Sequence, residues 1–150
     1  MGTVYQAVHR EMNRVVALKL IHAGNRDEAA IRVRFEREVQ SLVRIEQHPN
    51  IVPVYGIGTW QGFPYLTMRF VPGGTLARHM ERVRADLPAA IRLVAKVARA
   101  VHRLHEVGVL HRDLKPPNIL LDSGDEPLVA DFGLAKWLDD DSDVTASGAP

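Results

Sequence analysis

Residues 109–122, with the sequence VLHRDLKPPNILLD, set several charged side chains between two short apolar runs. Asp113 is followed closely by Lys115 and Asn118. Polar groups close to a hydrophobic core cost free energy unless they are paired or used. The stretch is therefore either an internal network of salt bridges or a chemical site.

A second candidate group is a lysine in the middle of an apolar segment. In VVALKLI, Lys19 is the one charged residue among seven, and the segment predicts a strand. Residues 27–46 predict an amphipathic helix, on whose apolar stripe Glu38 lies between Phe35 and Leu42. A carboxylate on that stripe needs a cation, and Lys19 is the nearest one without another explanation. We therefore predict that Lys19 and Glu38 pair. Taken alone, such a pair is more often a structural ion pair than part of a chemical site.

The composition is that of an ordinary soluble globular chain. The 150 residues include 19 basic and 18 acidic residues, 46% hydrophobic residues and no cysteine. Nucleic-acid binding favours a clustered basic surface, and a net charge of +1 gives no case for it. No apolar run is long enough to span a bilayer, and MGTVYQAVHR lacks the apolar core of a secretion signal. We expect a cytoplasmic location and no membrane contact from this segment.

The first half of the chain predicts four strands. TVYQAV and VVALKLI are rich in β-branched residues, and HREMNR between them suits a hairpin turn. IVPVYGIGT and FPYLTMRFV predict a second pair of strands, joined around Gln61 and Gly62. The sequence PGG at 72–74 is the clearest linker-like break in the chain.

The second half predicts a long helix followed by loops. PAAIRLVAKVARAVHRLHEVG has Pro88 in its first turn and ends near Gly108. An acidic run at 139–143 predicts a solvated loop. The apolar residues at helical spacing on this helix are Ile91, Val94, Ala95, Ala98 and Val101.

Several motifs, in the order in which they occur, resemble those of a eukaryotic-type protein serine/threonine kinase, and in particular the bacterial members of that family. They are GTV at 2–4, VALK at 16–19, Glu38, HRDLKPPN at 111–118 and DFG at 131–133. HRDLKPPN followed by DFG is the specific part, because GTV and VALK are common on their own. The resemblance implies an α+β, bilobal kinase-like fold in truncated form. Its N-lobe sheet with one helix would span 1–71 without the first strand, and 72–150 would begin the helical C-lobe and run through the activation segment.

The resemblance also implies transfer of the ATP γ-phosphate to serine or threonine hydroxyls of protein substrates, a signalling reaction. Such transfer requires charge neutralisation and alignment more than covalent help. Asp113 would receive or orient the proton of the attacking hydroxyl, and Lys115 would reach the γ-phosphate. Lys19 would bind the α- and β-phosphates while Glu38 holds its ammonium group. Lys115 is also typical of serine/threonine rather than tyrosine specificity.

For the nucleotide and the metal, the resemblance implies a further set of contacts. Adenine would lie between apolar side chains next to the gatekeeper Met68, and its edge would bind backbone groups of Arg69 and Val71. Mg²⁺, or Mn²⁺, would be held by Asn118 and Asp131 through hard oxygen ligands. The implied nucleotide-contacting residues are Gly2, Val4, Ala17, Lys19, Met68, Arg69, Val71, Leu120 and Asp131.

A regulatory role is implied for Arg112. A phosphate on Thr145, or alternatively on Ser142 or Ser147, would add negative charge for Arg112 to pair. His111 is expected to be a packed core histidine rather than a catalytic base.

Comparison with the family implies that the first strand and two loop glycines are absent. The chain is then expected to stop inside the activation segment, which favours a fragment. The alternative function is therefore a truncated, pseudokinase-like module that binds ATP or a partner without transferring phosphate. The presence of every expected catalytic side chain argues against that alternative.

Overall fold

The computed structural model describes residues 2–21 and 48–131 of the chain. The predicted helix at 27–46, with Glu38, lies outside these residues, as do the acidic run and Thr145. The strands are β1 (Gly2–His9), β2 (Arg14–Ile21), β3 (Val54–Trp60), β4 (Phe63–Arg69), β5 (Ile119–Leu121) and β6 (Pro127–Val129). The helices are α1 (Met80–Ala85) and α2 (Leu87–Glu106), with 3₁₀ turns at Leu76–His79 and Pro116–Asn118.

The first four strands form an antiparallel sheet in the order β1-β2-β4-β3. The turn between β3 and β4 has Gln61 and Gly62 at φ 49° and 83°, the left-handed conformation that two-residue hairpin turns need. In the register of the sheet, Ala17 lies opposite Met68 and Lys19 opposite Leu66. Both predicted strand pairs are therefore confirmed.

One face of this sheet packs against the hairpin formed by β5 and β6. Ala17, Ile21 and Leu66 are buried in a cluster that also contains Leu128 and Ala130. Lys19 is on the same face of β2 as Ala17 and Ile21, because side chains alternate along a strand. The packing of the sheet on the hairpin thus brings a lysine toward the second half of the chain.

Helix α2 begins and ends where the sequence predicts. Asp86 accepts a hydrogen bond from the backbone N–H of Ala89 at 2.9 Å, which caps the first turn. Gly108 follows the helix at φ 79°, as glycine commonly does after a helix. In the part of the chain that the structure describes, no helix combines the length and apolarity needed to cross a membrane.

The face of α2 that packs in the core is not the apolar stripe that runs through Ile91 and Val94. The helix buries Val97, Ala100 and Leu104, whereas Ile91 and Val94 are 61% and 63% exposed. Apolar residues occur on both sides of this helix, so periodicity alone could not decide which side faces the core. Val101 is the exception within the apolar stripe, since it packs partly against the core.

The segment after β4 is closely packed, although its PGG sequence resembles a linker. A Cβ atom on Gly73 would lie 2.3 Å from the carbonyl oxygen of Leu121, so this position requires glycine. The carbonyl of Gly74 accepts a hydrogen bond from the N–H of Leu121 at 2.9 Å. Farther along the hairpin, hydrogen bonds from Arg82 lower the pKa of Asp125 and join the β5–β6 turn to α1. The predicted break is therefore an element boundary without a flexible connection.

Two leucines on α2 provide a matched test of which face is buried. Leu104 is fully buried and Leu87 is 67% exposed. We expect Leu104→Ala to lower the free energy of unfolding by about 2–5 kcal/mol, because it leaves a cavity in the core. Leu87→Ala should change it by about 0.5 kcal/mol or less, since it removes surface contacts only. Urea denaturation of both variants measures the difference, and equal losses would show that the face is assigned incorrectly.

Candidate active site

A cleft of about 420 Å³ lies between the four-stranded sheet and the β5–β6 hairpin. Its wall on the sheet side includes Ala17 and Met68, and its opposite wall includes Leu120 and Asn118. Of the nucleotide-contacting residues that the sequence predicts, Val4, Ala17, Met68, Arg69, Val71, Leu120 and Asp131 line this cleft. The structure thus brings together residues that are more than one hundred positions apart in the sequence.

Lys19 reaches the cleft through an ion pair. Its side chain is 10% exposed, and its Nζ lies 2.5 Å from Oδ1 of Asp131. A buried ammonium group needs such a partner, because desolvation otherwise disfavours its charge. The partner predicted from the sequence, Glu38, lies outside the described residues, so that pairing stays a prediction.

Gly2 lies beside Lys19 and outside the cleft lining. It pairs in register with Ile21 at the end of β1. A Cβ atom at this position would lie 2.5 Å from the carbonyl oxygen of Leu20 and 3.5 Å from Cε of Lys19. Glycine therefore allows β1 to approach the strand that carries the lysine.

Three polar residues of the segment at 109–122 form a connected group. Lys115 Nζ lies 2.8 Å from Oδ2 of Asp113. The Asn118 side-chain amide donates to the Asp113 carbonyl at 2.8 Å and to its Oδ2 at 3.0 Å. The side chains of Lys115 and Asp113 are 49% and 38% exposed. This ion pair is therefore open to solvent and to a ligand, unlike the internal salt-bridge network that the sequence left as an alternative.

The orientation of Asn118 is suitable for a hard cation. Both of its side-chain hydrogen bonds leave from Nδ2, so Oδ1 is the atom that remains for a metal ion. The N–H of Ala130 donates to the Asn118 carbonyl at 2.9 Å, which holds Asp131 next to this residue. No group of three His, Cys, Asp or Glu side chains in the described ranges could hold a metal ion. An amide and a carboxylate fit Mg²⁺, which typically takes its other ligands from phosphates and water.

Strained backbone occurs at two positions of the site. Arg112 and Asp131 both have φ 57°, a left-handed conformation that costs free energy for residues other than glycine. Arg112 is the centre of a three-residue turn in which the Asp113 N–H donates to the His111 carbonyl at 2.7 Å. His111 is 3% exposed and its Nε2 lies 2.9 Å from the Ala130 carbonyl. It is thus a packed residue of the core, as predicted, and it ties the strained turn to the residue before Asp131.

Sequence reasoning missed eight of the residues that line the cleft, among them Gln6, Thr75, Arg78 and Pro117. Gln6 lies opposite Ala17 in the β1–β2 register, so strand alternation could have placed it on the cleft side. Thr75 and Arg78 belong to the segment after the PGG break, in which no sequence pattern predicted a wall of the cleft. Pro117 is within the HRDLKPPN motif but had no assigned role.

Comparison with known proteins agrees with these features. The family described as "Protein kinase domain" matches residues 1–149. The chain is 38% identical over 141 residues to serine/threonine-protein kinase PknD of Mycobacterium tuberculosis, covering 93% of this chain and 21% of that protein. It is 37% identical to the M. tuberculosis kinases PknJ, covering 99% of this chain and 26% of PknJ, and PknF, covering 98% and 32%.

The chain spans about a fifth to a third of the length of these curated relatives. The match nevertheless covers nearly all of this chain and includes the sheet, the cleft and the catalytic segment. The predicted α+β fold is therefore that of a protein kinase, a family of enzymes that generally use ATP and Mg²⁺. The chain belongs to the protein kinase family, and the relatives it matches are serine/threonine-protein kinases.

Proposed function

We propose that this chain carries the catalytic site of an ATP-dependent protein serine/threonine kinase that acts in the cytoplasm. The observation that supports this best is the convergence of Lys19, Asn118 and Asp131 at one cleft, with Asp113 hydrogen-bonded to Asn118. Phosphoryl transfer requires cations around the phosphates and an acceptor for the hydroxyl proton, and these four residues are of the required types.

Asp113 acts on the incoming hydroxyl. Its Oδ2 accepts a hydrogen bond from Asn118 and pairs with Lys115, so the carboxylate is held in one orientation. It orients the serine or threonine hydroxyl and takes its proton as the phosphate bond forms. Lys115, which is half exposed, turns from Asp113 toward the transferred phosphate.

Lys19 and Asp131 act at the phosphates of the nucleotide. The ammonium of Lys19 neutralises the α- and β-phosphates, and Glu38 holds it there. Asp131, together with Oδ1 of Asn118, would hold Mg²⁺, which when bound neutralises charge on the phosphates. Ala17, Leu120 and Met68 bound the apolar end of the cleft, where they contact the adenine ring.

Asp113→Asn tests this division of roles. We expect turnover to fall on the order of 10²- to 10⁴-fold, the usual contribution of a general base, while ATP affinity is largely retained. Asp125→Asn is the matched control, because Asp125 is an exposed turn residue paired with Arg82 and away from the cleft lining. Single-turnover kinetics and a nucleotide-binding assay measure the two effects. Wild-type turnover in Asp113→Asn would overturn the assignment.

We also propose regulation through Arg112. Phosphorylation of Thr145, or of Ser142 or Ser147, would add about two negative charges that a guanidinium can pair. We expect Thr145→Ala to lower the activity of the ATP-treated protein, and phosphopeptide mapping to find the modification in wild type. A fully active enzyme that carries no phosphate between residues 139 and 147 would contradict this role.

One exposed apolar surface of α2 bears on the alternative, a module that binds ATP or a partner without catalysis. Ile91 and Val94 follow helical spacing and are both more than 60% exposed. We propose that the catalytic domain extends beyond these 150 residues, that residues 1–71 and 72–150 belong to its two lobes, and that this stripe packs against the extension. Burial contributes about 25 cal/mol per Å² of apolar surface, so two large uncovered side chains forfeit several kcal/mol.

The 150 residues expressed alone should therefore melt with low cooperativity and show no robust kinase activity. A domain's total stability is about 5–15 kcal/mol, so a loss of this size matters. Thermal melts with ATP and Mg²⁺, together with phosphorylation of a generic serine/threonine substrate, compare this chain with the full-length protein. A sharp melt and substantial turnover from the short chain would show that it is sufficient.

A further inference from the structure

We propose that Arg78 selects protein substrates that carry acidic residues close to the phosphorylated serine or threonine. The inference rests on the proposed function and adds a substrate class to it. It concerns the rim of the cleft, where the 3₁₀ turn Leu76–His79 borders the catalytic segment.

The turn that carries Arg78 is firmly held. Leu76 is buried, and a ring nitrogen of His79 lies 2.8 Å from the Gly73 carbonyl. The N–H of Arg78 donates to the Thr75 carbonyl at 3.0 Å, and Thr75 pairs with Leu120 on the cleft wall. The backbone of Arg78 is therefore fixed relative to the cleft.

The Arg78 side chain lies over the backbone next to the cleft. Its Cδ and Nη1 are 3.8 and 4.0 Å from the position that a Cβ atom on Gly74 would take. Gly74, Arg78, Pro117 and Asn118 line the same cavity. The turn also contacts the 3₁₀ turn Pro116–Asn118, which directly follows Asp113 and Lys115. Arg78 is thus a neighbour of the catalytic segment.

The guanidinium of Arg78 has no ion-pair partner among the described residues. The other charged residues of the lining are Arg69 and Asp131. Asp131 is paired with Lys19. Arg69 follows Met68 on β4 and pairs with Val16, so its side chain projects from the face opposite the cleft. Arg78 forms no hydrogen bond or ion pair through its guanidinium with any described residue, and it gives the rim a positive charge.

The ligand that best matches this charge is a carboxylate of the substrate polypeptide. Adenine contacts belong to the end of the cleft near Met68, and phosphate contacts belong to the end with Lys19 and Asp131. The ribose between them is neutral, so a solvent-exposed guanidinium gains little binding free energy from it. A polypeptide that brings a hydroxyl to Asp113 lies against the catalytic segment, whose turn Pro116–Asn118 contacts the turn that carries Arg78. Charges at such a rim act mainly on specificity and association.

The test uses the full-length protein and one acceptor peptide in which Asp, Ala or Lys replaces each neighbour of the acceptor in turn. We expect wild type to favour Asp over Lys at one or more positions by about two- to five-fold in kcat/KM, the range of an exposed ion pair. Arg78→Ala should remove the preference, Arg78→Glu should reverse it, and Arg78→Lys should retain it. Added salt should weaken the preference, because it screens exposed charges.

Arg84→Glu is the control for the change in net charge. Arg84 is an exposed residue in the last turn of α1 and is not part of the cleft lining. The Arg84→Glu variant should leave the peptide preference and the KM for ATP unchanged. An equal reversal by Arg84→Glu would show that net charge, and not Arg78, sets the preference.

Other outcomes overturn the proposal in distinguishable ways. Turnover of the Ala-containing peptide with no preference for Asp would leave the kinase assignment intact and reject the role of Arg78. An increased KM for ATP in Arg78→Ala, with an unchanged peptide profile, would assign Arg78 to the nucleotide. Absence of turnover with any peptide would reject the proposed function, and this inference with it.

Discussion

Two backbone hydrogen bonds at Val129 connect the parts of the molecule that form the cleft. The N–H of Val129 donates to the Asn50 carbonyl at 2.8 Å, and its carbonyl accepts from the N–H of Val52 at 2.9 Å. The side-chain amide of Asn50 adds a bond to the Pro127 carbonyl at 2.8 Å. Buried backbone groups must be paired, so this exchange fixes the segment that leads into β3 directly on β6. The four-stranded sheet is thereby held against the short hairpin.

The other side of the hairpin is attached in the same way to the residues that carry the chemistry. Gly74 binds the N–H of Leu121, and Asn118 binds the N–H of Ala130. His111 adds a contact to the Ala130 carbonyl from the catalytic segment. The hairpin is thus a common support for three segments that are distant in sequence, and a buried histidine is tolerated because it serves this attachment. The strained turn at Arg112 can persist because both of its neighbours are held.

The sequence was sufficient for the parts of the fold and site that depend on local order. The four strands and the ends of α2 follow from spacing and residue type. The resemblance to protein kinases named Ala17, Met68 and Leu120 as neighbours of the nucleotide, and the structure places all three around one cleft. The sequence was insufficient where one hydrophobic pattern is compatible with two different packing arrangements. Helix α2 is apolar on both sides, and only the packing of the hairpin decides that Leu104 is buried. Arg78 was missed because a short 3₁₀ turn has no periodic signature.

The two ion pairs of the site also could not be predicted from spacing alone, and their arrangement suits the binding of charged ligands. Spacing identified Lys19 as a cation that needs a carboxylate, but the described partner, Asp131, comes from the far end of the chain. At Asp113 and Lys115 the same kind of pair forms within three residues. In each case a cation expected to bind phosphate lies against a carboxylate expected to bind a metal ion or a hydroxyl. Because an incoming phosphate competes for the cation while a metal ion or hydroxyl binds the carboxylate, both partners gain new contacts when the pair separates. Such ion pairs stabilise opposite charges in one cleft and can still separate when a ligand binds.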